Sequence, residues 1–390
     1  MKNIAILIET SLASGRAILG GISRYLHETN DWSIFHYTGP LGSLEPSSID
    51  QWKGDGIIAR ISRSESLELV ARKGVPIVDV LGNVIGSPYP VVSSHDAQIG
   101  ELGASHLMEM GHRNFAFLGV ENETWSNQRL IGFREHASAQ SASSIQKLQL
   151  STRDREPANW PSTLTKIENW LASCPVPLGL MIASDQFAPI AFEACRRRSI
   201  AIPEQVSIIS VDNDSSFCDL CQPRLTSIEP NHNEVGYQAA KLLDQILHGS
   251  KPNSDPTRIP PLTIHRRLSS DFEAVDDPSL AKALQLIREK ACEGISVEEI
   301  ASAAGLSRSV LQRRFKETLG RTVGRSIQDV KLRRACDMLS FTTLPIIDVA
   351  IRSGFNYQEY LNQVFKRCLN TTPAKYRRKT NPSKLDLPGM

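Results

Sequence analysis

The sequence predicts an α/β domain of doubly wound parallel sheets over residues 1–272, followed by an all-α domain over residues 280–378. Three observations lead there. Short apolar runs alternate with amphipathic stretches through the first 270 residues, and such alternation builds parallel sheets covered by helices on both faces. Beyond the acidic, small-residue segment 268–279 (LSSDFEAVDDPS) the strand signal stops. Within the helical third a pattern then repeats. Ile300-Ala301 and Gly305-Leu306 recur 49 residues on as Val349-Ala350 and Gly354-Phe355. Phe315-Lys316, Leu319 and Thr322 recur 50 residues on as Phe365-Lys366, Leu369 and Thr372.

Taken in order, strands are expected at 3–8, 32–37, 56–59, 75–81, 115–120, 178–183 and 206–211, all short apolar runs. Amphipathic spacing predicts helices at 16–28, 99–110, 127–136, 187–197 and 235–247. Ligands of parallel sheets sit beyond the carboxyl ends of strands, so polar residues there are the first candidates. Asp185 and Asp212-Asn213 follow the runs LGLMIA and VSIISV, and Arg16 follows the first strand at a helix start. Leu81-Gly82-Asn83, after the fourth run, is a further candidate for the cleft lining. Residues 273–279 read as a linker and 379–390 as a flexible tail.

In the last third, Leu280, Ala283, Leu284, Ile287 and Ala291 fall on one helix face. Each copy of the repeat then reads helix, tight turn, helix. Ser296-x-x-Glu299 is a capping-box pattern, and Pro345 suits a first turn. Gly305 and Gly354 stand where the chain must turn sharply, and Ser307 and Asn356 are the expected N-caps, Asn356 with Glu359 as a second capping box. This is the helix-turn-helix arrangement, whose second helix enters the DNA major groove. Ser307, Arg308, Ser309, Gln312 and Arg313 are the candidate DNA contacts of the first copy. Asn356, Tyr357, Gln358, Asn362, Gln363 and Lys366 are their counterparts. Arg forks suit guanine, Gln and Asn amides suit adenine, and Lys or Arg neutralises phosphate.

Charge supports that assignment. The net charge of +2 conceals 20 Lys and Arg against 11 Asp and Glu from Asp277 onward, a balance of +9. Before Asp277 the counts are 24 and 31, a balance of −7. A basic helical end on an acidic body expects a polyanionic partner, here double-stranded DNA.

Other classes fare less well. With 41% hydrophobic and 22% charged residues in a chain of 390, neither a fibrous nor a largely disordered protein is expected. MKNIAILIET lacks the long apolar core of a secretory signal, and no stretch nears the roughly 20 apolar residues of a membrane span. Seven scattered cysteines, with Cys218-x-x-Cys221 as a single pair, suggest a reducing, cytoplasmic setting and neither a zinc site nor any cofactor. No G-x-x-x-x-G-K-[ST] occurs, no G-x-G-x-x-G follows the first strand, and His27-Glu28 has no partner histidine for a zinc-protease helix. A dispersed active site leaves no such mark, but an enzyme is not the expectation.

The residues also carry family resemblances. Residues 280–378, with IIDVAIRSGFNYQEYLNQVFKRCLNTTPAKYRR, resemble the DNA-binding domain of AraC-type regulators. That resemblance implies two helix-turn-helix units joined by a long helix near 324–339. Residues 91–247 resemble the sugar sensor of LacI/GalR repressors, built like periplasmic sugar-binding proteins. The matching pieces include Asp96-x-x-x-Gly100, LMEMGHRNFAFLG, Arg129-x-x-Gly132-Phe133, Ser184-Asp185 and IPEQVSIISVDN. The sensor likeness implies two α/β lobes with a sugar between them and adds Asp96, Trp125 and Arg129 to the ligand candidates. His95, where the pattern has a Val-Thr type residue, departs from it. The composite is similar to xylose operon regulators. It implies D-xylose or a related pentose as effector, a homodimer, and RNA polymerase as partner of an activator. A regulator answering to another pentose or hexose, or a sugar receptor without DNA function, stays open here. The chemistry suits a sugar: carboxylates and guanidinium forks pair hydroxyls, and Trp125 offers an apolar platform.

Overall fold

The structure is a computed structural model and describes residues 1–380 except 30–31, 45, 140–144, 253–254, 272–274 and 276. The chain divides into two compact units, Met1–Ala274 and Val275–Met390.

The first unit has two lobes. β1 (Lys2–Leu7), α1 (Ala13–Thr29), β2 (Trp32–Tyr37), α2 (Pro46–Gln51), β3 (Gly56–Ala59), α3 (Ser64–Ala71) and β4 (Ile77–Asp79) build the first. Its sheet is parallel, in the order β2-β1-β3-β4. β5 (Val92–Ser94) then crosses to the second lobe. There follow α4 (Asp96–Glu109), β6 (Asn114–Val120), α5 (Thr124–Ala139), β7 (Ile145–Leu150), α6 (Trp160–Ser173), β8 (Leu178–Ile182), α7 (Ala188–Arg197), β9 (Val206–Val211), α8 (Ser215–Leu220) and β10 (Thr226–Glu229). The chain returns through α9 (His232–Leu247), and β11 (Thr257–Ile259) pairs with β5. β12 (Thr263–His265) closes the second sheet, in the order β12-β10-β9-β8-β6-β7, antiparallel to β10. Three crossings therefore join the lobes: β5 to α4, β10 to α9, and β11 to β12.

β3, β8 and β9 are buried at every residue, as strands covered on both faces must be. Each lobe holds one tight helix crossing. A Cβ on Gly21 would lie 1.8 Å from the Asn233 carbonyl oxygen, and one on Gly100 1.9 Å from that of Arg129. Only glycine lets α1 meet α9, and α4 meet α5, backbone to backbone. These crossings bring helix N-termini to the space between the lobes.

The second unit is all helical: α10 (Pro278–Lys290), α11 (Val297–Ala303), α12 (Arg308–Leu319), α13 (Val323–Phe341), α14 (Ile346–Arg352), α15 (Gln358–Leu369) and α16 (Pro373–Thr380). α13 has 19 residues, about 28 Å at 1.5 Å each. Leu332, Ala335 and Leu339 on it pack with Val349, Phe355, Leu361 and Phe365 from α14, its turn and α15. The Ser296–Glu299 capping box is formed, and Ser307 caps α12.

Several expectations are corrected. α15 begins at Gln358 with extended Tyr357 as its N-cap residue and no side-chain cap, so Asn356 does not cap it and no box with Glu359 forms. Pro345 occupies the N-cap position of α14 instead of its first turn. Asp277 accepts from the Ser279 and Leu280 N–H groups and starts α10 within the expected linker. Residues 273–274 and 276 of that linker lie outside the described residues, as do 381–390 of the expected tail, whose Lys379 and Thr380 extend α16.

Gly305 and Gly354 have φ of 71° and 80°, yet they are not equivalent. A Cβ on Gly305 meets open space, whereas one on Gly354 would lie 2.7 Å from Cys292 Cα. Gly305→Ala is expected to cost roughly 1–2 kcal/mol, for left-handed backbone alone. Gly354→Ala adds an overpacking cost of about 1–3 kcal/mol. Melting temperatures of the two variants check the order.

Candidate functional site

Between the lobes lies a cleft that encloses about 670 Å³ of space, part of it open solvent. The N-termini of α1, α4, α5 and α9 border it, through Ser14, Asp96, Trp125 and His232. Loops after β3, β4, β8 and β9 bring Arg60, Leu81, Ser184 and Asp212.

Asp212 is placed by unusual backbone. It and Asn213 have φ of 111° and 50°, two successive side-chain-bearing residues in the left-handed half of φ space. Asp212 N–H donates to Ile228 O and Asn213 N–H to Ser227 Oγ, both at 2.9 Å, and these bonds hold the strain. The Asp212 carboxylate consequently enters the cavity, where Ser184 Oγ donates to it at 2.6 Å. Its other oxygen stands 3.6 Å from His232 Nε2 and 4.0 Å from Arg129 Nη1. Burial pushes the Asp212 pKa up, but His232, Arg129 and Ser184 outweigh it and hold the carboxyl below its usual range. Asp212 is therefore a charged acceptor facing the cavity.

Asp185 serves the floor. It is buried, accepts Asp214 N–H at 2.8 Å and the Ser227 hydroxyl at 2.8 Å, and lies 3.4 Å from Cys218 Sγ. Burial, with the neighbouring Asp212 charge, raises its pKa. Arg129 Nε donates to Asp96 at 2.9 Å and its Nη1 to Ala183 O at 2.5 Å. The guanidinium stacks 4.9 Å from the centre of the Trp125 ring, a cation–π contact. Burial raises the Asp96 pKa against the pull of Arg129.

Five of the seven residues expected to bind ligand thus line one cavity: Asp96, Trp125, Arg129, Asp185 and Asp212. The other two do not. Asn213 turns outward, its Oδ1 accepting from Arg267 Nη2 at 2.7 Å. Arg16 donates to the Thr10 and Ser11 carbonyls at 2.9 Å and stands 3.7 Å from Asp214. Leu81 lines the cavity, whereas Asn83 joins the lobes, its Oδ1 accepting from Thr124 N–H at 2.6 Å. Arg60 and His232 were not anticipated. Arg60 follows the buried run GIIA, the same signal that marked Asp212.

In the second unit, Ser307, Arg308, Ser309, Gln312 and Arg313 are all exposed at the start of α12, with Arg308 bonded to the Glu298 carboxylate. Asn356, Tyr357, Gln363 and Lys366 are exposed and Gln358 and Asn362 half-buried, opposite the buried Leu361, Val364 and Phe365 of α15. Both helices thus offer a polar, basic face.

Family comparisons fit this geometry. Residues 3–94 match a XylR N-terminal domain, 104–270 a periplasmic binding protein-like domain, and 300–379 a helix-turn-helix domain. The xylose operon regulatory protein of Escherichia coli (strain K12) is 30% identical over 382 residues, 96% of each chain. Its Haemophilus influenzae counterpart is 30% identical over 96% of this chain and 97% of its own. The chain belongs to the xylose operon regulatory protein family. It is a DNA-binding transcription regulator with a sugar-sensor fold. A solved structure described as the xylose-binding transcription activator XylR aligns over 97% of this chain and 98% of its own, with TM-score 0.81 and 29% identity. A ribose-bound LacI-family regulator from Enterococcus faecium shares the sensor fold, with TM-score 0.56 over 70% of this chain and all of its own. No helix among the described residues is long and apolar enough to cross a membrane.

Proposed function

We propose that this xylose operon regulator binds D-xylose, or a closely related pentose, between its lobes, and that occupancy controls DNA binding by the second unit. One observation carries the ligand assignment. The charged Asp212 acceptor, guanidinium and imidazole donors and the Trp125 face surround a single cavity, a set that matches the hydroxyls and C–H face of a sugar. The relatives named for the xylose operon support the choice of pentose. Asp212→Ala removes the charged acceptor and is expected to weaken D-xylose binding by about 1–3 kcal/mol. Titration calorimetry checks it, and unchanged affinity would remove Asp212 from the site.

For the DNA side, the exposed starts of α12 and α15 enter successive major-groove segments about one duplex turn, roughly 34 Å, apart. Ser307, Arg308, Ser309, Gln312 and Arg313 read one box. Asn356, Tyr357, Gln358, Asn362, Gln363 and Lys366 read the other. The protein acts in the cytoplasm as a homodimeric activator that recruits RNA polymerase. Arg308→Ala and Gln358→Ala should relax specificity in different boxes, each by about 1–3 kcal/mol where the contact is bidentate. Footprints in which both substitutions weaken the same box would contradict the arrangement.

A further inference from the structure

Arg60 lines the cavity with few protein partners of its own among the described residues. It directly follows β3, and its backbone N–H donates to Leu7 O at 3.1 Å, which fixes its root in the first-lobe sheet. Among the described residues its guanidinium makes one side-chain hydrogen bond, Nη1 to Ser14 Oγ at 3.2 Å. No carboxylate among them comes within ion-pair distance. Asp212, Glu9 and Glu123 act on it only through space, and burial lowers its pKa. The contrast with Arg129 is direct, since that side chain is bonded to Asp96 and Ala183 and stacked on Trp125. A guanidinium keeps its charge and carries its donors in a fixed fork. With one side-chain bond made, its remaining donors are available to a molecule in the cavity that Arg60 lines.

The position indicates what that acceptor is. Arg60 stands on the first lobe and Asp212 on the second, and among the described residues no hydrogen bond or ion pair joins the two. We propose that Arg60 is the first-lobe anchor of the ligand, donating its fork to a pair of ligand oxygens while Asp212 accepts from a hydroxyl of the same molecule. This rests on the ligand lying in the cavity between the lobes, but not on that ligand being xylose. Two sources supply such an oxygen pair: neighbouring hydroxyls of a neutral pentose, or the carboxylate of the corresponding sugar acid.

The experiment titrates the full-length protein, Arg60→Met and Arg60→Lys with D-xylose and, separately, with D-xylonate. Melting curves of the unliganded variants confirm folding, and Arg60→Gln, for which the same loss is expected, serves if Arg60→Met does not fold. The ligand that binds the parent protein is expected to bind Arg60→Met about 10- to 100-fold more weakly. Arg60→Lys restores only part of that loss, because an ammonium cannot present the fork. Monodeoxy xyloses supply the second arm. At least one should bind the parent and Arg60→Met almost equally, since its missing hydroxyl is the one Arg60 holds. Xylonate binding that depends on Arg60, without xylose binding, would keep the anchor and overturn the neutral-pentose reading. Binding of either ligand unchanged within threefold in folded Arg60→Met would overturn the anchor itself.

Discussion

Arg129→Met is expected to lower the stability of the first unit by about 3–5 kcal/mol, the cost of breaking a buried ion pair from one side. The side chain is 5% exposed and bonds Asp96 and the Ala183 carbonyl. Without it, the buried Asp96 carboxylate loses its partner and Asp212 loses a nearby positive charge. The pH dependence follows from the sign. Burial already raises the Asp96 pKa, and Arg129 is the chief group opposing it. In the variant the folded-state value rises further above that of the unfolded chain, near 3.9. A carboxyl raised in this way favours folding at acid pH and loses that contribution as pH climbs through its folded value. The deficit against the parent protein should therefore be smaller at pH 5 than at pH 8. Melting temperatures across that range decide it, and an equal deficit throughout would contradict the role of Asp96.

The second large effect concerns DNA. From Asp277 onward the chain carries a balance of +9, and six to ten phosphate contacts would lower operator affinity roughly 10³- to 10⁵-fold between 50 and 200 mM salt. Fluorescence anisotropy with labelled operator measures the slope. A nearly flat salt dependence would mean that the exposed basic faces of α12 and α15 do not track the phosphate backbone.

How legible these features were in the sequence depends on the residue. β3, β8 and β9 announced themselves because GIIA, LGLMI and VSIISV are buried at every position. The crossing strands VSS, TRI and TIH did not, since three residues hold no period. α6 escaped because its first turn holds Pro161 and its flanks are polar, although proline is well tolerated there, where its missing N–H costs nothing. At the site, the ends of apolar runs pointed to Asp185 and Asp212, and family likeness added Asp96, Trp125 and Arg129. What composition cannot encode is the left-handed backbone at two successive residues, which turns Asp212 inward and Asn213 outward to Arg267. His232 lay hidden in PNHNEVG because its role depends on α9 starting at the cavity. The second repeat copy misled for a similar local reason: Asn356 matches Ser307 in chemistry and near-register, but extended Tyr357 precedes the first turn of α15.

The coupling of the two units is tested most directly by operator affinity measured across a D-xylose titration, with the parent protein and Asp212→Ala side by side. The sugar should change operator affinity of the parent at least fivefold, the lower end of allosteric coupling at roughly 1 kcal/mol. Asp212→Ala should bind the operator normally without sugar and need roughly 5- to 150-fold more sugar to respond, the counterpart of a 1–3 kcal/mol loss. An operator affinity indifferent to D-xylose in the parent, or an identical response curve in Asp212→Ala, would contradict control of DNA binding through this cavity.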